Sequence, residues 1–397
     1  MTRFRIPVLL ALMAMTAACT SGLADPPTTD AGADATNGRI VVLNDDGNIR
    51  TMDPDGSSPI EITTDGSSVQ HFQPVWSPLS RVVAWGQGGD QGFAVGLRNE
   101  ERTESVMVPV GGFPFYLNWS PDEMRIGVLH NGVNGSVDFE LIDVADASAG
   151  VVDSGSPYYF SWSPDGSALV VHVGGDRLEI FDESASSESV TEVTPNFLAP
   201  QWTPKGIFYF GTEGLTLRRG PDDEEVLIDA EGFVSINPNP DASLVAMHVL
   251  NGEVPGLTVS FTSQELAETN AISIVDVESG VVDVISGQIP VGSFWSPDGK
   301  ELLILSLNGN PGLIDLMLWN DGDLEMVDTI EIPPSMVTQA LQYLDQYTQS
   351  LQVWSPDSTS FVLPATRDGV SGIWVFDRAG AEPVRISDGS WASWSSN

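Results

Sequence analysis

One cysteine stands among 397 residues, so no disulfide can form within the chain. Basic residues are scarce as well: 16 Lys and Arg face 55 Asp and Glu, a formal net charge of −39. Nucleic acids and anionic headgroups are held by clustered Lys and Arg, and a surface this acidic repels both. No Gly-x-Ser-x-Gly elbow is present, and only three residues follow Trp394, which leaves no room for a hydrolase domain. His-Glu-x-x-His is missing, as is a complete calcium loop; "NDDGN" from Asn44 and "DPDG" from Asp53 lack the full run of oxygen ligands and read as hairpin turns. No metal and no cofactor are expected.

The apolar run "IPVLLALMAMTAA" is too short to span a bilayer and remain there. Preceded by "MTRFR" and followed at once by Cys19, it reads as an export signal over residues 1–18. Residues 20–38, "TSGLADPPTTDAGADATNG", have almost no large apolar side chains and read as a tether after Cys19, with folding expected over residues 39–397.

What is abundant is one phrase. "SWSPDGSALVVHV" from Ser161 returns as "NWSPDEMRIGVLH" from Asn118, "QWTPKGIFYF" from Gln201, "FWSPDGKELLIL" from Phe294 and "VWSPDSTSFVL" from Val353, with a looser copy, "VWSPLSRVVAW", from Val75. Trp76, Trp119, Trp162, Trp202, Trp295, Trp354 and Trp394, with Ile236 in "INPNPDASL" taken as a stand-in, are spaced 43, 43, 40, 34, 59, 59 and 40 residues apart. A period near 40 with several short strands per unit is a propeller signature. In each unit the tryptophan ends an innermost strand, Ser-Pro-Asp-Gly makes a tight turn with Gly favoured at its fourth position, and an outward strand follows.

These phrases resemble the WSPDG-type repeat of TolB-like β-propellers and of the non-catalytic propeller domains of prolyl oligopeptidases; the resemblance runs from residue 39 onward. Cys19 at the end of its apolar run resembles the lipobox of bacterial lipoproteins, although Thr16 replaces the usual Leu. It implies diacylglyceryl attachment at Cys19 and a place on the outer side of a bacterial membrane. The expected fold is an all-β propeller of about eight four-stranded blades, or seven if the unit at Ile236 fails. "RIVVLND", "NIRTMD" and "PIEITT" lack an innermost strand that "GSWASWSS" can supply, so the two ends should share one blade.

Two insertions fall in connections on the face opposite the Ser-Pro-Asp-Gly turns: Asn251 to Asn270, and Pro334 to Gln352. Val337, Leu341, Leu344, Tyr347 and Leu351 give the second a helical stripe near residues 335–350, with Ser335 as a possible cap. That helix is either a lid over a gap or a recognition element. Phe72, Phe115 and Tyr158 lie four residues before successive tryptophans, with Tyr116 and Tyr159 beside two of them. They either pack between blades or form an aromatic collar; with Tyr343, Asp345 and Tyr347 of the helix they make the expected ligand or partner face. His130, His172 and His248 fall at similar blade positions, too far apart around a ring for a shared metal.

Two functions fit. One is a membrane-anchored binding or scaffold module for a protein, peptide or saccharide, without catalysis. The other is a propeller enzyme, a lyase, cyclase or glycoside-acting protein, with carboxylates from separate blades in the central channel.

Overall fold

The structure is a computed structural model, and it describes residues 38–182, 187–191, 198–229, 231–253, 270–286 and 288–396. Cys19, the export signal and the tether lie outside them, as does most of the first insertion.

Almost every element is an antiparallel strand. Five sheets have four strands in sequence order or its reverse, a sixth adds the last strand of the chain beside the first, and a seventh has seven strands. That larger sheet divides at a single pair, Glu331 with Thr366, into a four-stranded unit and the three strands Ser360–Arg367, Val370–Asp377 and Val384–Ser387. Trp354, bridged to Phe361, supplies an innermost position to those three. Counted by hydrogen bonding there are seven sheets among the described residues; counted by innermost positions ending at residues 76, 119, 162, 202, 238, 295, 354 and 394 there are eight. The ends do share one sheet: Trp391–Trp394 pairs with Ile40–Leu43, placing Ile40 opposite Trp394 and Leu43 opposite Trp391.

In four places the recurring phrase joins a unit to the one before it. Indole N–H groups donate across the gap to the residue preceding the neighbouring unit's tryptophan position: Trp76 to the Ser393 carbonyl (3.3 Å), Trp162 to Asn118 (3.3 Å), Trp295 to Asn237 (2.8 Å) and Trp354 to Phe294 (2.9 Å). A tryptophan suits this place because it fills the apolar gap while its single donor finds a carbonyl. The backbone N–H of Trp394 donates to the Gln352 carbonyl at 2.7 Å, tying the last strand to the segment before Trp354.

In the turns that carry Ser-Pro-Asp, serine and aspartate hold the backbone. The Ser163 hydroxyl donates to Asp165 Oδ1 (2.7 Å) and accepts from Ala168 N–H (2.9 Å). Ser296 and Ser355 repeat this. Those bonds, from Ser163 and then Ser167, hold the Asp165 carboxyl down at about 2. The residue after the aspartate has a left-handed backbone, φ +75° at Gly166 but also +60° at Glu123 and +61° at Ser358. Glycine there avoids a steric cost that the other two carry.

The unit from Glu231 corrects the sequence reading. Asn239 N–H bonds the Leu244 carbonyl as Ser296 N–H bonds that of Glu301, and Leu244 N–H donates to Asn239 Oδ1 as Glu301 N–H does to the Ser296 hydroxyl. Pro238, not Ile236, therefore holds the tryptophan position, and the turn has gained no residues; Ile236 is a buried core residue two places earlier.

The second insertion is not one helix. It comprises Pro334–Gln339, a 3-10 turn over Leu341–Tyr343 and a single helical turn over Leu344–Tyr347. Breaks fall at Ala340 (φ −116°) and Tyr343 (φ −124°, ψ 42°), and the first piece starts at Pro333 without a side-chain cap, so the expected Ser335 cap is not used. Val337 is exposed, whereas Leu341, Leu344, Tyr347 and Leu351 are buried. The reason for the breaks is what surrounds the segment: it packs against several innermost strands at once rather than on one flat surface.

Candidate functional site

Residues 340–353 run through the middle of the ring. Met336, Ala340, Leu341, Leu344, Tyr347 and Leu351 belong to the same core cluster as Tyr116, Phe160, Phe294, Trp354 and Trp391, which come from five separate units. A Cβ at Gly292 would stand 3.1 Å from a Leu341 methyl and 3.2 Å from one of Leu344, so the plug packs directly against the backbone of the innermost strand Pro290–Trp295.

Polar contacts lock the plug in register. The Gln346 side-chain amide accepts from Phe160 N–H (2.9 Å) and donates to the Phe160 carbonyl (2.8 Å), completing the strand Tyr158–Trp162 as another strand would. Tyr116 donates to the Gln346 carbonyl at 2.8 Å. Tyr347 donates to the Phe115 carbonyl at 2.7 Å and accepts from Gln73 Nε2 at 2.7 Å. Gln73 reaches it from a bulge with a left-handed backbone, φ +40°, just before Pro74. Such bulges re-aim a side chain at the cost of local strain.

Asp345 points elsewhere. Its carboxylate accepts from Ala199 N–H, and its carbonyl accepts from Gln201 Nε2 at 2.5 Å. Burial pushes this carboxyl up to about 7. No ion pair to it is found among the described residues.

Beside the plug, on the face opposite the Ser-Pro-Asp-Gly turns, lies a cavity of about 460 Å³. Seven of the eight residues expected on the ligand face line it: Phe72, Phe115, Tyr116, Tyr158, Tyr159, Tyr343 and Tyr347. The eighth, Asp345, does not. Tyr116, Tyr158 and Tyr347 are buried, so they serve core packing and cavity wall together, while Tyr343 is 44% exposed at the rim. The same aromatic cluster thus contributes both to packing between units and to the wall of a cavity beside the plug. Phe113, 4.3 Å from Phe72 between ring centroids, and Gln73, Asn131 and Gln346 complete much of the wall. Sequence reasoning passed over them. Phe113 precedes its innermost strand by one residue, Gln346 sat unassigned in "LDQYTQS", and the bulge at Gln73 was signalled only by the following proline.

The histidines go separate ways. His130 Nε2 is 3.0 Å from Glu140, His172 Nδ1 is 2.6 Å from the Leu198 carbonyl, and His248 is fully enclosed, its pKa lowered by burial to about 4. Among the described residues no cluster of His, Cys, Asp or Glu is arranged to hold a metal ion.

Comparison with known proteins matches no family model and no curated protein. Solved structures do match. A dihydro-heme d1 dehydrogenase aligns over 94% of this chain and 78% of its own, at 15% identity and TM-score 0.61. An oligogalacturonate lyase crystallised with manganese aligns over 86% of this chain and 97% of its own, at 13% identity and TM-score 0.53. A TolB of Acinetobacter baumannii aligns over 74% of this chain, at 17% identity and TM-score 0.41; the chain spans 64% of that protein. At such identities the likeness shows the fold: the chain is a β-propeller.

Proposed function

We propose that this chain is an extracytoplasmic binding module, tethered to a bacterial membrane through Cys19, whose ligand site is the ring-lined cavity beside the axial plug. One observation carries the reading: the aromatic side chains that open onto the insertion-bearing face converge on a single cavity of ligand size, since small-molecule pockets begin near ~300 Å³. The enzyme reading required carboxylates gathered in the central channel. Along the plug that axis holds Leu344, Gln346 and Tyr347, and the one plug carboxylate, Asp345, is turned to a backbone N–H. Among the described residues the cavity lining contains no Asp, Glu, Lys, Arg or His, so those residues offer neither an acid-base pair nor a cation for a uronate. The likeness to oligogalacturonate lyase, at 13% identity, is a likeness of fold, and the described lining supports the binding reading.

Ligand-observed NMR with a fragment set spanning monosaccharides, capped dipeptides and alkylammonium salts tests the site. Fragments that bind the wild type should lose their signal changes with Phe115→Ala, and with Tyr343→Ala at the exposed rim, while both variants keep the wild-type fold. Binding that survives both substitutions contradicts the assignment. For the anchor, Cys19→Ala should move the protein from the membrane fraction to the soluble extracytoplasmic fraction; a wild type already soluble there contradicts it.

A further inference from the structure

Among the described residues the cavity lining has no charged side chain, yet it adjoins a carboxylate that has no counter-ion among them. Asp345 is held by neutral donors, and its charge reaches the cavity wall: it contributes to raising the pKa of the Tyr159 phenol, after burial itself. Tyr116 feels the same carboxylate. The other titratable groups near it are the Tyr343 phenol, which couples to Tyr159, and His172, whose ring lies 6.1 Å from that of Tyr159 and whose Nδ1 faces the carbonyl next to Ala199. The field of the whole chain has the same sign, at −39. What the arrangement lacks is a positive charge in the space in front of the rings.

Ring chemistry selects the kind of cation. A calcium or magnesium ion wants six or more oxygen ligands, and a primary ammonium wants three acceptors in one place. The Gln73 amide nitrogen and the Gln346 amide are already engaged with Tyr347 and Phe160, which leaves Asn131, Ser156 and the tyrosine hydroxyls as the polar groups of a wall in which eight of fifteen side chains are aromatic. An anion would meet negative potential without a basic partner. Rings attract an alkylated cation electrostatically and need no hydrogen bond from it.

Resting on the binding-site reading above, we infer that the cavity takes the head group of an organic cation, a quaternary or otherwise N-alkylated ammonium. Phe72, Phe113, Phe115, Tyr159 and Tyr343 surround the head group, and Asp345 acts through space from behind the wall.

The test is calorimetry on the folded chain with choline, its neutral carbon isostere 3,3-dimethylbutan-1-ol, and methyl glucopyranoside. Choline should bind about tenfold or more tightly than the isostere, the difference expected of a desolvated cation against rings. Tyr343→Leu, at an exposed position, should weaken choline more than the isostere. Asp345→Asn should weaken choline several-fold and leave the isostere unchanged. Choline affinity should also fall as pH is lowered below about 7, where Asp345 takes up a proton, and Asp345→Asn should abolish that dependence. Equal binding of choline and the isostere, or tighter binding of the glucoside, overturns the ligand class while leaving the cavity as the site. Absence of binding by all three also overturns the class, and the fragment screen then decides the site by itself.

Discussion

A chain in which residues 334–349 are replaced by a short Gly-Ser loop will fail to fold to a cooperative native state. As a lid, this segment could be removed with little loss. As a plug, it takes Met336, Leu341, Leu344 and Tyr347 out of the core, each buried to 5% exposure or less. Burial of such side chains is worth about 1.5–3 kcal/mol apiece. Loss of Gln346 would also strip Phe160 of partners for its N–H and carbonyl, at about 1–3 kcal/mol for each unsatisfied group. The sum approaches or exceeds the whole stability of an ordinary domain, about 5–15 kcal/mol. Gln346→Ala by itself should lower the melting temperature by many degrees. Thermal unfolding followed by tryptophan fluorescence would show this, and a loop-replaced chain that melts like the wild type would show that the segment is a cover after all.

The second large effect belongs to Asp345, and it depends on pH. Its carboxyl sits at about 7 in the folded chain against an ordinary 3.8. A raised pKa means that the folded state binds the proton more tightly than the unfolded state. This group's contribution is therefore fully present below about pH 4 and is lost as pH rises toward 7, by up to about 4 kcal/mol. Asp345→Asn keeps an oxygen to accept from Ala199 N–H and removes the charge. Compared with the wild type, it should unfold at higher denaturant at pH 8, with the gap narrowing as pH falls to 4. Parallel stability curves for the two proteins across that range would mean that Asp345 is not the buried, unpaired carboxyl described here.

Architecture was legible in the sequence because it is periodic. Proline and glycine punctuate a turn locally, and a tryptophan recurring near every 40 residues marks units that each need a neighbour. The shared terminal blade followed from counting strands on either side of those turns. One unit was misread because its tryptophan position holds a proline: Ile236 satisfied the apolar pattern, but the hydrogen bonds of Asn239 place Pro238 there. The plug was half legible. Val337, Leu341, Leu344, Tyr347 and Leu351 announce an apolar face, but periodicity cannot say whether that face meets one surface or five, and here the surrounding ring bends it at Ala340 and Tyr343.

The cavity shows the same boundary. Aromatic residues four places before three successive tryptophans, Phe72, Phe115 and Tyr158, could be placed on one face from topology alone. Their convergence with Tyr343 and Tyr347, separated from them by nearly 200 residues or more, depends on where the plug sits, and no local pattern encodes that. Asp345 was placed on the expected ligand face by its position in the second insertion, beside Tyr343 and Tyr347. Its neighbours Gln346 and Tyr347 bond to the other side of the channel, and that forces its carboxyl toward Ala199 and out of solvent.

The most direct measurement is a crystal structure of the protein with the tightest-binding fragment from the NMR screen. The account predicts density among Phe72, Phe115, Tyr159 and Tyr343 on the insertion-bearing face, with the Gln346 to Phe160 hydrogen bonds intact. A fragment seated instead against the Ser-Pro-Asp-Gly turns, or in the axis after displacing Gln346, would contradict it.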